Sequence, residues 1–185
     1  MAPSVNKASF ASLGESDNWE RACRELAQRD SVLGQVIQEA GKGKLVCRND
    51  PFQTLARSII GQQISVKAAD SIWRRFQEAC PDCSPLAVAL ADFSLLGACG
   101  LSKRKIGYLR DLAFHFLERK IRFDHWHVMS DEEIIADLTQ VRGVGRWTAE
   151  MFLIFSLGRP DVLPQNDIGL QKGISRFYFS GKPVS

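Results

Sequence analysis

Two glycines separated by one residue, Gly143-Val144-Gly145, interrupt an otherwise helical pattern, and no other stretch constrains the chain as much. Upstream, Ile134, Ile135, Leu138 and Val141 are spaced to share one helix face. Downstream, Thr148, Met151, Phe152 and Phe155 recur at helical spacing until Gly158, with Pro160 just beyond as a stop signal. A glycine costs a helix interior about 1 kcal/mol relative to alanine. The pair therefore predicts a tight turn whose backbone comes close to something. The unit reads as helix, Gly-x-Gly hairpin, helix. The second helix starts with unpaired backbone N–H groups, which attract an anion such as phosphate. Arg142 and Arg146 flank that start. A plain helical hairpin satisfies the same pattern, so the turn alone leaves both readings open.

The rest of the chain predicts further helices with short loops. Asp17 is read as the cap of a helix through Trp19, Cys23, Leu26 and Ala27, and a second helix covers Val32 to Ala40 before Gly41-Lys42-Gly43 breaks it. A helix from Pro51 runs through Leu55, Ile59 and Ile60 to about Gln62-Gln63. Ser65 caps the next, with Ala69, Ile72, Trp73 and Phe76 on one face and Pro81 as its stop. Short helical pieces cover Pro85–Leu90 and Phe93–Cys99. Ser102 caps an amphipathic helix whose inner stripe is Ile106, Leu109, Leu112, Ala113, Phe116 and Leu117. Ser130-x-x-Glu133 is a capping box that opens the helix leading into the hairpin. No alternating strand pattern persists, so the expected class is all-α.

With 45% apolar residues the chain can bury a core. It has no run of 18 apolar residues and no basic stretch followed by an apolar one at its start, so neither a membrane span nor a secretory signal is expected. The five cysteines are odd in number and scattered, which fits reduced thiols in a cytosolic protein. Cys80-Pro81-Asp82-Cys83 lacks a second matching pair, which argues against zinc. His115, His125 and His127 show no metal-ligand spacing. A net charge of +3 decides little. Its distribution says more: between Gly100 and Lys120 six basic residues face Asp111 and Glu118.

After Pro160 the chain reads Asp161-Val162-Leu163-Pro164-Gln165-Asn166-Asp167-Ile168-Gly169-Leu170. By residue type alone Asp167 is a helix N-cap. Taken together, the hairpin, the Gly145-Arg146-Trp147-Thr148-Ala149-Glu150-Met151 run and Leu163-Pro164-x-x-Asp167-x-Gly169-Leu170 resemble the helix-hairpin-helix base-excision DNA glycosylases. Within them the match is to the DNA-3-methyladenine glycosylase branch. It covers about Phe52 to Phe179 and is most specific from Gly143 to Asp167. The resemblance implies a helical bundle over 50–160 ending in the hairpin. Residues 17–49 and 161–185 would form a second lobe, residues 1–16 a flexible end, and the cleft between lobes the active site. The implied partner is double-stranded DNA carrying alkylated purines of the 3-methyladenine type.

The same resemblance assigns roles. Asp167 falls on the catalytic aspartate, whose anion stabilises positive charge on the sugar or orients the attacking water. Trp147 stands where bifunctional relatives carry a Schiff-base lysine. This implies a monofunctional hydrolase that leaves the strand intact, with the indole face stacking on a cationic base; by type alone Trp147 is a core aromatic. Gln62 and Gln63 either line the base-binding cleft or bond helix ends. Ser102 and Lys103 match the loop that wedges into DNA when a nucleotide flips out, while Ser102 is equally a plain cap. Gly143, Val144, Gly145, Arg146 and Thr148 would meet the DNA backbone. The carbonyls of Thr139, Val141 and Val144 would hold a monovalent cation, Na+ or K+. No other cofactor is expected, and with no cysteine after Cys99, no iron–sulfur cluster. Many relatives have proline where Arg142 stands, so Arg142 stiffens the turn less and adds charge beside the phosphate. The expected form is a monomer in a bacterial cytoplasm, associated with the nucleoid. Relatives continue past Phe177-Tyr178-Phe179 with another helix, so a 185-residue chain alone is expected to be less stable and less active. Two alternatives stay open. One is a non-catalytic helix-hairpin-helix DNA-binding module, which has no use for Asp167. The other is a glycosylase for a different lesion, such as a mismatched adenine, which Trp147 disfavours.

Overall fold

A computed structural model describes residues 16–41, 43, 47 and 50–184. Among these residues there are α-helices and one 3-10 turn, and no strand. The helices are α1 (Ser16–Arg29), α2 (Ser31–Ala40), α3 (Pro51–Gly61), α4 (Val66–Ala79), α5 (Pro85–Leu90), α6 (Phe93–Ala98), α7 (Lys103–Leu117), α8 (Asp131–Thr139), α9 (Arg146–Phe155) and α10 (Ile168–Tyr178). The 3-10 turn, Phe123–His125, precedes α8. The chain separates into two compact units. One is Arg48–Phe152; the other joins Met1–Cys47 to Leu153–Ser185.

Helix starts follow capping chemistry closely. Ser65, Ser84 and Ser102 each accept the N–H three residues on, with Ala68, Ala87 and Lys105 as donors. Ser130 and Glu133 complete a reciprocal capping box. Each bond satisfies an N–H that the helix itself leaves open. Asp30 and Asp50 cap α2 and α3 in the same way. The cap expected at Asp17 is corrected: α1 begins at Ser16, which puts Asp17 inside its first turn.

The Arg48–Phe152 unit has a continuous apolar core. Leu55, Ile59 and Ile60 of α3, Phe76 of α4, Leu109 and Leu112 of α7, and Ile134 and Leu138 of α8 are all buried, and α3 packs on α4 and α7. Aromatic rings extend it: Phe52 meets Phe116 edge-on at 5.3 Å, and Trp126 meets Phe152 at 5.1 Å. Offset and edge-on ring pairs suit the ring quadrupole. Asp137 is a buried carboxylate that accepts hydrogen bonds from the Arg122 guanidinium and the Arg122 backbone N–H. Two ends of the predicted stripes are corrected. Leu117 and Phe155 are both 47% exposed, because each lies in its helix's last residue, where the covering core has run out. Helix α9 ends at Phe155, and Gly158 turns the chain at φ +64° as Arg159 N–H reaches back to Leu153 O.

Five thiols are free. Cys80, Cys83 and Cys99 are buried, and burial pushes all three above the ordinary thiol value of 9.0. In the other unit, Tyr178 Oη near the end of α10 donates to Asp30 Oδ2 at 2.8 Å, tying α10 to the start of α2.

Candidate nucleic-acid interface

The hairpin turn is built by residues that lie far from it in sequence. Gly143 has φ +88°, a region closed to most L residues. A Cβ added there would lie 2.3 Å from Cδ2 of Tyr108. Both backbone conformation and packing therefore require glycine. Gly145 differs: its φ is ordinary, and a Cβ would meet nothing within 4 Å. Its backbone is exposed at the start of α9. Val144, 4% exposed, anchors the turn through its side chain, leaving only its backbone to face a ligand. Thr148 is likewise 6% exposed, so its side chain looks inward.

The two flanking arginines are committed elsewhere. Arg146 Nε donates to Glu150 Oε1 at 3.0 Å, and its Nη1 donates to Glu132 Oε2 at 2.9 Å. Glu132 foremost, with Glu150, holds the Arg146 guanidinium well above its ordinary value. Arg142 pairs with Asp111, its Nε 3.0 Å from Oδ1, while its backbone N–H donates to Oδ2 at 2.8 Å. Both arginines that flank the turn are thus present as expected, and each guanidinium has carboxylate partners.

The glutamines divide. Gln62 Nε2 donates to Gly143 O at 2.7 Å, fastening the end of α3 to the turn. Gln63 is exposed, with φ +59°, and its Oε1 accepts from Arg104 Nη2 at 3.4 Å. Together with Ser58, Gly61, Trp147, Thr148 and Met151 they line an open recess of about 520 Å³. Trp147, on the first turn of α9, is 46% exposed and offers ring surface to that recess. A flat aromatic beside amide and hydroxyl groups can stack a planar ring and hydrogen-bond its edge. Ser58 is not singled out by sequence, and Met151 is read there only as part of a helical stripe, because helical spacing does not say which face of α3 or α9 lines a recess.

Ser102 caps α7, and Lys103 is exposed in its first turn. Lys105 turns inward instead. Its Nζ donates to Ile60 O at 2.6 Å and to Gln62 O at 2.8 Å, closing the C-terminal end of α3. Burial, then Arg104, pushes its ammonium below the usual lysine range.

In the other unit Asp167 caps α10, its Oδ1 accepting Leu170 N–H at 2.7 Å. Its own N–H donates to Pro164 O at 2.9 Å, and Gln171 Nε2 pins Gln165 O at 2.9 Å, so the Leu163–Asp167 loop is folded against the helix. Gly169 makes room for the carboxylate: a Cβ there would lie 3.0 Å from Asp167 Oδ1. The cap uses one carboxylate oxygen, and the helix N-terminus beside it favours negative charge.

Similarities to known proteins align with this geometry. The sequence model of the HhH-GPD superfamily base excision DNA repair protein matches residues 56–183. DNA-3-methyladenine glycosylase 1 of Schizosaccharomyces pombe is 33% identical over 177 residues, covering 94% of this chain and 73% of that protein. The DNA-3-methyladenine glycosylase of Saccharomyces cerevisiae is 41% identical over 185 residues, covering 90% of this chain and 62% of that protein. Among solved structures, a DNA-3-methyladenine glycosidase from Bacillus halodurans superposes with a TM-score of 0.76 at 38% identity, over 85% of this chain and 73% of that one. The S. pombe 3-methyladenine DNA glycosylase, solved in complex with abasic DNA, superposes with a TM-score of 0.76 at 31% identity, over 89% of this chain and 84% of that one.

Proposed function

The chain belongs to the HhH-GPD superfamily of base excision DNA repair proteins, and from that premise we propose that it is a monofunctional DNA glycosylase, excising alkylated purines of the 3-methyladenine type from duplex DNA. The observation that carries the reading is Trp147, half exposed on the recess beside Gln62 and Gln63. An electron-rich indole face attracts a cationic ring. A purine methylated at N3 or N7 is cationic and already a good leaving group, so stacking selects it without a detailed edge code. To reach the recess the nucleotide must leave the duplex, which costs a few kcal/mol. Ser102 and Lys103, at the start of α7, are the proposed wedge.

The chemistry is hydrolysis of the N-glycosidic bond. As the bond to the base lengthens, positive charge grows on the sugar. Asp167 supplies the fixed anion that opposes it. The base leaves with the bonding electrons, and water attacks the anomeric carbon, passing its proton to the Asp167 carboxylate or through it to solvent. No amine occupies position 147, so no Schiff base forms there and the strand stays intact.

The hairpin would receive a DNA phosphate at the backbone of Gly143 to Gly145. A monovalent cation fits beside it. Thr139, Val141 and Val144 would hold it through backbone carbonyls, which are hard, neutral ligands suited to an alkali ion. Val141 O accepts only the Val144 N–H among the described residues, at 3.0 Å, so one lone pair is left for a cation. Such an ion would lend positive charge where the arginines are already paired.

The test is release of labelled methylpurines from alkylated DNA. The wild-type chain releases them and leaves strands uncut until alkali is added, and borohydride during turnover traps no adduct. Asp167→Asn keeps an oxygen for the Leu170 N–H but removes the charge. It should abolish release and leave DNA affinity largely intact. Near-normal turnover by Asp167→Asn would overturn the assignment, and a trapped adduct would overturn the monofunctional reading.

A further inference from the structure

We propose that one face of α7, formed by Lys105, Tyr108 and Asp111, is a brace that positions the Gly143 turn, acting through Gln62 and Arg142. The proposal rests on the reading of that turn as the receiver of a DNA phosphate. The three residues stand at helical steps of three, so they share one face. Each fixes a different part of the turn. Asp111 Oδ2 accepts the Arg142 backbone N–H at 2.8 Å. The Tyr108 ring closes over Gly143 so tightly that a Cβ would fall 2.3 Å from it. Lys105 Nζ holds Gln62 O and Ile60 O, and the side chain of Gln62 in turn grips Gly143 O at 2.7 Å.

The turn needs outside support because it has little of its own. Its internal backbone bond is Val144 N–H to Val141 O, and Gly143 is the residue with most conformational freedom to lose. Left unbraced, the turn would order only when it met a ligand. Fixing one backbone residue corresponds to roughly tenfold in an equilibrium constant. A brace built into α7 makes that ordering part of folding rather than of binding, so affinity rises with no new contact to the ligand. Lys105 is also the one basic residue of the 103–105 run that faces inward, which assigns it to support rather than to DNA.

The experiment compares Asp111→Ala with Asp111→Asn, which keeps an acceptor for the Arg142 N–H. Amide hydrogen exchange is followed residue by residue in the free protein. Affinity is measured for a duplex holding an abasic-site analogue. Asp111→Ala should speed exchange at Arg142 to Gly145 by about tenfold and weaken DNA binding by a similar factor, with α3 and α8 exchanging as in wild type. Asp111→Asn should restore most of both. If Asp111→Ala does not fold, Lys105→Met is used, and the same local increase at Gly143 is expected. Wild-type exchange in the turn of a folded variant overturns the brace, as does a uniform increase across α3, α8 and the turn. An Asp111→Asn variant as impaired as Asp111→Ala overturns it too. If the wild-type chain binds no DNA, the functional reading fails, while the exchange data still judge the brace.

Discussion

Replacing Gly143 with alanine perturbs two independent features of the hairpin, and both magnitudes follow from the geometry. At φ +88° an L side chain is strained, at about 1–2 kcal/mol. The new methyl would also overlap Tyr108, with 2.3 Å to Cδ2 where ordinary contacts begin beyond 3.4 Å. Relief requires the ring to swing away, an overpacking cost of about 1–3 kcal/mol. The sum is roughly 3 kcal/mol, and at about 2–4 °C per kcal/mol in a chain of this size, melting should fall by about 10 °C. Gly145→Ala is the counterpart, with ordinary φ and nothing within 4 Å. It should melt within about 2 °C of wild type yet bind duplex DNA more weakly, because the methyl projects where a phosphate would approach. A double variant, Gly143→Ala with Tyr108→Ala, should lose the steric part, so the two effects should fall short of additive by about 1–3 kcal/mol. Melting is followed by far-ultraviolet circular dichroism. A Gly143→Ala protein melting with the wild type, or single effects that simply add, would refute the reasoning that Tyr108 and Gly143 are mutually fitted.

Gly169→Ala should cut methylpurine release while leaving the fold intact, because a Cβ at 3.0 Å from Asp167 Oδ1 displaces the carboxylate by a few tenths of an ångström; unchanged release would mean that its position is not critical. Asp137→Ala removes the charged partner of Arg122 and should destabilise by about 2 kcal/mol in denaturant titration; because the guanidinium is half exposed and regains water, a loss well above 3 kcal/mol would contradict this account. The Leu33 N–H, then the Tyr178 hydroxyl, hold Asp30 below its ordinary value of 3.8. A depressed folded value means the contribution is present above about pH 4 and lost as pH falls through the folded value. Asp30→Asn should therefore be less stable than wild type near neutrality and equal to it in strong acid, and a gap that persists unchanged in acid would reverse the sign.

Local chemistry was legible in the sequence, and long-range pairing was not. Ser65, Ser102 and Ser130 cap where expected because a cap and its N–H lie three residues apart. The stripe Ile134, Ile135, Leu138 and Val141 is buried as its spacing implied. What holds the hairpin lies elsewhere: Gln62 is 81 residues from Gly143, and Asp111 is 31 from Arg142. No periodicity signals such partners. The partners of the basic residues are equally invisible in the sequence: Arg142 and Arg146 pair with carboxylates, and Lys105 bonds to carbonyls. Asp167 shows the opposite limit, since its cap is plain from residue type while the catalytic role proposed for it rests only on the resemblance.

The buried thiols bear on survival among electrophiles. A reagent that methylates purines also methylates sulfur, and the species it attacks is the thiolate. Cys80, Cys83 and Cys99 lie inside the Arg48–Phe152 unit with their ionisation suppressed by burial, so little thiolate is available to react near neutrality. Cys23 and Cys47 are only partly covered and should be modified first. The core would thus keep its packing through an exposure that damages DNA, with chemical wear falling on two thiols outside it.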